Sequence, residues 1–147
     1  MTEKIHWLKL YDSTPVKGRL ADKYLVRQWV AGKVGERYLV PLLGVWDSPD
    51  EIDFESLPDS FVLKATHGSG WNILVPDKRA LDVEGTRQRL RDWLGLRQAM
   101  KGGFELHYEY CEPRIVCEPF LRDGTGGLRD YKFMVFDGVV QFVFTVD

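Results

Sequence analysis

Phe61-Val62-Leu63-Lys64-Ala65-Thr66-His67-Gly68-Ser69-Gly70-Trp71-Asn72-Ile73-Leu74-Val75 is an apolar run carrying one lysine, a short glycine-spaced break, and a second apolar run. Its pattern predicts strand, loop and strand: a β-hairpin flap whose tip is lined by backbone N–H groups. Gly68 and Gly70 let that backbone approach an anion closely, because no Cβ stands in the way and positive φ is allowed. Lys64, just before the loop, would supply the countercharge, which makes the stretch a candidate phosphate site. The spacing is not G-x-x-x-x-G-K-[ST] and no helical pattern follows, which excludes a Walker-type loop and a dinucleotide fingerprint. The plain alternative is a surface hairpin with a glycine turn and a solvated lysine. The stretch by itself leaves both open.

Upstream, Ser13-Thr14-Pro15-Val16-Lys17-Gly18 reads as a loop, and Asp22 as the N-cap of a helix over 23–34 that stops at Gly35. Arg27 and Lys33 are expected to project from the outer faces of that helix. Residues 38–46 form an apolar strand region, which Pro41 marks as an edge or irregular strand. Ser48 stands before a short helical turn. Downstream, Asp82 caps an amphipathic helix that places Val83, Leu90, Trp93 and Leu94 on one face. Residues 95–104 loosen toward Gly102-Gly103. Strands are expected over 114–120, 131–136 and 139–144, the last two joined at Asp137-Gly138, a type I′ hairpin signal. Residues 123–127, Asp-Gly-Thr-Gly-Gly, read as a loop. The class is α+β, a mostly antiparallel sheet with covering helices.

Composition narrows the function. The chain has 147 residues, 44% hydrophobic and 29% charged, with a net charge of −2. That balance and the lack of a basic stripe argue against nucleic acid as a partner. No apolar run is long enough to span a bilayer, and the first residues carry no secretory pattern, so the expected setting is cytoplasmic. Of the two cysteines, Cys117 reads as a small buried hydrophobe. His107 and Cys111 are four apart, but no further Cys or His completes a zinc set, and no metal site is assigned.

Lys64, Glu118 and Lys132 each interrupt an otherwise apolar strand. One such residue is ordinary strand alternation, and Glu118 reads equally well as solvent-facing. Three of them, with a glycine loop beside one, point to a shared cleft in which two lysines face a polyphosphate.

The order of these segments carries a resemblance. Ala21-Asp22-Lys23-Tyr24-Leu25-Val26-Arg27, Leu42-Leu43-Gly44-Val45-Trp46-Asp47, Phe61 to Lys64 with His67 to Asn72, Pro113-Arg114-Ile115-Val116-Cys117-Glu118 and Asp130-Tyr131-Lys132-Phe133 together resemble the ATP-grasp superfamily. In wording they are similar to its TupA-like branch, linked to teichuronopeptide and cell-surface polysaccharide biosynthesis. The resemblance covers most of residues 20–147. It implies an ATP-grasp-like fold with ATP and Mg2+ as cofactors, and a carboxylate activated as an acylphosphate for attack by an amine. It implies Lys23 as a first nucleotide-contacting lysine, against the plain reading of a helix lysine, and Lys64 as a second, at the α- and β-phosphates. His67, Gly68, Ser69, Gly70, Trp71 and Asn72 would be the flap over the triphosphate. Glu118 would sit at the adenine hinge with the backbone near Phe120 reading the base, and Lys132 would reach the terminal phosphates.

The resemblance also implies later strands bearing the magnesium-binding acids, whereas the sequence ends at Thr145-Val146-Asp147. The expectation is therefore a lead-in segment over 1–57, a first lobe over 58–118 and an incomplete second lobe over 119–147. Metal ligands would lie beyond residue 147, catalytic residues stay unassigned, and ligation by this chain alone is not expected. Expected partners are a nucleotide and a small carboxylate or polymer precursor, with self-association through the exposed C-terminal strand. Two other classes stand beside the ligase: a non-catalytic nucleotide- or partner-binding module, and a glycosyltransferase-associated protein. The last lacks an Asp-x-Asp motif at a strand end.

Overall fold

The computed structural model describes residues 2–101, 103–122 and 128–146. Helices α1 (Thr2–Tyr11), α2 (Pro15–Ala21) and α3 (Val26–Val34) precede strands β1 (Gly44–Trp46), β2 (Phe61–Ala65) and β3 (Asn72–Val75). Then follow α4 (Val83–Leu94), the short α5 (Gln98–Lys101), β4 (Ile115–Pro119), β5 (Asp130–Phe136) and β6 (Val139–Val146). The first four strands form a sheet in the order β1-β4-β2-β3, and β5 and β6 form a separate hairpin. Every pairing is antiparallel, the α+β arrangement expected.

Alternation along β2 explains the architecture, since successive side chains leave a strand on opposite faces. Phe61, Leu63 and Ala65 are fully buried and share one sheet face with Ile73, Val75, Ile115 and Cys117. Phe54, Leu57, Leu90 and Trp93 close that core from beyond the sheet. Helix α4 contributes because its apolar positions recur at helical spacing and because the Asp82 carboxylate accepts from the Gly85 N–H at 2.9 Å. The other face of β2 carries Val62 and Lys64. Val116 of β4 shares that second face and is fully buried, so the face is covered in part and open beside Lys64.

Three sequence expectations need correction. Residues 13–18 are not all loop: Thr14 accepts from the Lys17 N–H as the N-cap and Pro15 occupies the first turn, so α2 begins at Pro15. Proline there costs nothing, because that N–H has no helical partner anyway. The strand expected over 38–46 is confined to Gly44–Trp46, with a 3-10 turn over Glu36–Tyr38. The helix expected over 23–34 is regular only from Val26, although Asp22 does cap the preceding turn through hydrogen bonds from the Tyr24 and Leu25 N–H groups, both 2.8 Å. Asp137 and Gly138 take φ of 49° and 76°, the left-handed pair a type I′ turn needs. The glycine-rich loop over 123–127 lies outside the described residues. Among the described residues no helix is long and apolar enough to cross a membrane.

Candidate functional site

Part of this second face of the sheet opens into a cavity of about 550 Å³. Val62 and Lys64 of β2, Asn72 and Leu74 of β3, and Glu118 of β4 line it, with Val40, Pro119, Phe120, Leu121, Arg122 and Leu128 around the rim. Pairing register puts these side chains together: Val62 lies opposite both Leu74 and Glu118, and Lys64 opposite Asn72. Residues directly opposed in an antiparallel ladder project from the same face. The result is an apolar slot with a charged end, of a size typical for small-ligand sites.

At the charged end the Lys64 ammonium donates to Glu118 Oε2 at 2.5 Å. The second carboxylate oxygen faces Arg27 Nη1 at 3.4 Å, and Arg27 also donates to the Val40 carbonyl. Arg27 was expected on the outer face of its helix, and the structure instead turns it inward. No sequence pattern announces this. Its partner lies 91 positions away and is brought close only by sheet pairing.

The glycine loop folds over its own base. Lys23 donates to the carbonyls of Ala65, at 2.9 Å, and of Gly68, and its backbone N–H donates to the Thr66 carbonyl. Lys23 thus ties both ends of the loop. Burial lowers its pKa, and the charge of Lys64 lowers it further. An anion between the two lysines would relieve that repulsion. Thr66, fully buried, donates to the Glu112 carbonyl and accepts from the Arg114 N–H, fixing the loop to the start of β4. Sequence reading gave Thr66 no role.

His67 points into the protein. Its Nε2 lies 3.1 Å from the Trp93 carbonyl and so carries the proton, leaving buried Nδ1 without a partner. The ring meets Trp71 edge-on, and Trp71 stacks on Trp93. A Cβ on Gly68 would fall 2.4 Å from the Trp71 ring, so glycine is required there for that packing. Ser69 and Gly70 form the exposed tip, with Gly70 at φ 77°. The structure therefore gathers Lys64, Asn72, Glu118 and Phe120 at the cavity and places His67 through Trp71 in the loop that joins β2 to β3, with Lys23 bonded to that loop from the turn before α3. Lys132 is on the β5–β6 hairpin, where it pairs with Asp130 at 2.7 Å, and it does not line this cavity.

Burial lowers the His67 pKa below its ordinary 6.5. The folded state then declines a proton that the unfolded chain accepts, so stability is full above about pH 6.5 and falls as pH drops through that value toward the folded pKa. Denaturation midpoints should decline over this window in the wild type. In His67→Gln, which can still donate to the Trp93 carbonyl, the decline should be shallower. Identical pH profiles would show that His67 does not carry the effect.

Cys111 is buried, its Sγ 3.3 Å from the Gly18 carbonyl, and burial pushes its pKa up to about 12, opposite to the shift of a metal-bound thiolate. Among the described residues no group of three or more His, Cys, Asp or Glu side chains gathers to hold a metal.

A family model described as TupA-like ATPgrasp matches residues 3–147. No curated protein and no solved structure matches the chain. The family match runs through the hairpin, its lysine and the carboxylate strand that together build the cavity, and this chain belongs to the TupA-like ATP-grasp family.

Proposed function

We propose that this protein binds ATP in the cavity beside Lys64 and Glu118, as the nucleotide site of a carboxylate–amine ligase of cell-surface polymer biosynthesis. The observation that carries the reading is the placement of Lys64 at the charged end of an apolar slot, on the strand that leads into a loop whose exposed tip holds Gly70 at positive φ. The adenine would lie against Val62, Leu74 and Phe120, with the backbone after β4 reading its edge. The phosphates would extend toward Lys64 and the Ser69–Gly70 tip, where no acceptor among the described residues takes the backbone N–H groups. Lys23 serves this site by fixing the loop and adding positive potential behind it, and Asn72 by donating beside Lys64. Lys132 would act on the terminal phosphates after a rearrangement that brings its hairpin over the slot.

Fixed positive charge and N–H dipoles aimed at a phosphoryl group stabilise the charge that develops during transfer. Magnesium would accompany ATP. Its protein ligands are not gathered among the described residues, so the donor set here fits the nucleotide and does not fit the metal. That contrast favours a second reading, a nucleotide-binding module without ligase chemistry in this chain. A small carboxylate or polymer precursor would be the co-substrate of the ligase reading, in a cytoplasmic setting where ATP is available. We also propose self-association through the β5–β6 hairpin, whose residues are exposed throughout. Sedimentation of the wild type against Phe142→Lys should show a larger species only in the wild type.

A nucleotide panel tests the main reading. ATP should raise the melting temperature by mass action, while UDP-sugars should leave it unchanged. Stabilisation by UDP-sugars and not by ATP would favour a glycosyltransferase-associated role instead. Release of phosphate on adding candidate carboxylates and amines separates the ligase from the module.

A further inference from the structure

We infer that Arg27 is a positioning residue: it holds Glu118 when a phosphate draws Lys64 away, so that nucleotide entry does not strand a buried carboxylate. The inference rests on the ATP reading above.

The Glu118 side chain is 13% exposed and divides its oxygens between two cations, Oε2 to Lys64 at 2.5 Å and Oε1 to Arg27 at 3.4 Å. The two cations are not equivalent. Lys64 lines the nucleotide cavity and is 29% exposed, whereas Arg27 is 16% exposed and lines a separate cleft with Gln28, Glu36 and Pro41. A ligand in the cavity meets Lys64 and not Arg27. The other arm of Arg27 is fixed to the Val40 carbonyl, so it is held whether or not a ligand is present.

In the described structure Lys64 is engaged by Glu118 and must loosen that contact to serve a phosphate. Removing one partner from a partly buried ion pair is costly, because the charge left behind has lost its solvent and its countercharge. Arg27 limits that cost. Its 3.4 Å approach to Oε1 leaves room to shorten toward the 2.7–2.9 Å of a full charge-assisted bond. Without Arg27, Glu118 would keep Lys64 and compete directly with the triphosphate.

The test is ATP titration of the full chain in a cycle of Arg27 and Glu118 variants. Arg27→Gln removes the charge yet can still donate to the Val40 carbonyl, and it should weaken ATP binding by about tenfold. Arg27→Lys, which keeps the charge, should lose less. Adding Glu118→Gln to Arg27→Gln should recover most of the lost affinity, and by a larger factor than Glu118→Gln changes the wild type. A purely structural role would show no such rescue. In the absence of nucleotide, acylation of Lys64 by an N-hydroxysuccinimide ester, followed by peptide mass spectrometry, should be slower in Arg27→Gln. Wild-type protein that binds no ATP overturns the reading beneath this inference. ATP binding that is unaltered by Arg27→Gln, or weakened equally with and without the Glu118 charge, overturns the inference alone.

Discussion

Lys64→Ala is expected to weaken ATP binding by about 10- to 100-fold, or ~1.5–3 kcal/mol, the usual size of a hydrogen bond to a charged group. Adenosine, which lacks the phosphates, should bind wild type and variant alike. The change acts twice. It removes the ammonium at the charged end of the cavity, and it leaves the Glu118 carboxylate turned toward an anionic ligand. Arg27 remains beside Glu118, so the fold should survive and the loss should appear in affinity. Calorimetry with ATP and adenosine in parallel checks this. If both ligands lost affinity equally, Lys64 would be acting on the shape of the slot and not on phosphate.

Leu63→Ala should destabilise the fold by about 2–5 kcal/mol, the range for truncating a buried leucine that leaves a cavity. Leu63 is fully buried, directly between Ile73 on β3 and Cys117 on β4. The informative partner is Leu74→Ala, one residue beyond Ile73 and on the opposite face. Leu74 is 64% exposed and lines the cavity. Its truncation should change stability by no more than about 0.5 kcal/mol while lowering affinity for both ATP and adenosine. Denaturant titration and calorimetry on the two variants separate the effects. Equal stability losses would mean that the division of the sheet into a core face and a binding face is wrong.

The alternation that sets those faces was legible in the sequence. Phe61, Leu63 and Ala65 against Val62 and Lys64 is a period-two pattern, and the glycine break after it announced the loop. Local capping signals at Ser48 and Asp82 and the Asp137-Gly138 turn were equally readable, because each depends on neighbours within three or four residues. The signal at Thr14-Pro15 is just as local, but a serine, threonine, proline and glycine so close together suit a loop as well as a helix start. Other features depend on pairing between distant segments. Sequence alone did not show that Arg27 reaches Glu118, that Thr66 joins the loop to β4, or that Lys23 is engaged by loop carbonyls. His67 shows the same limit from the other side. The resemblance implies a place for it in the flap over the triphosphate, whereas its ring is buried against Trp71 and bonded to α4.

The most direct measurement is calorimetric titration of magnesium-ATP into the 147-residue chain, with circular dichroism confirming a folded sample. The account predicts saturable binding in the wild type that is strongly weakened in Lys64→Ala. A folded wild-type sample that releases no heat of binding at any accessible ATP concentration, and gains no thermal stability from ATP, would contradict it.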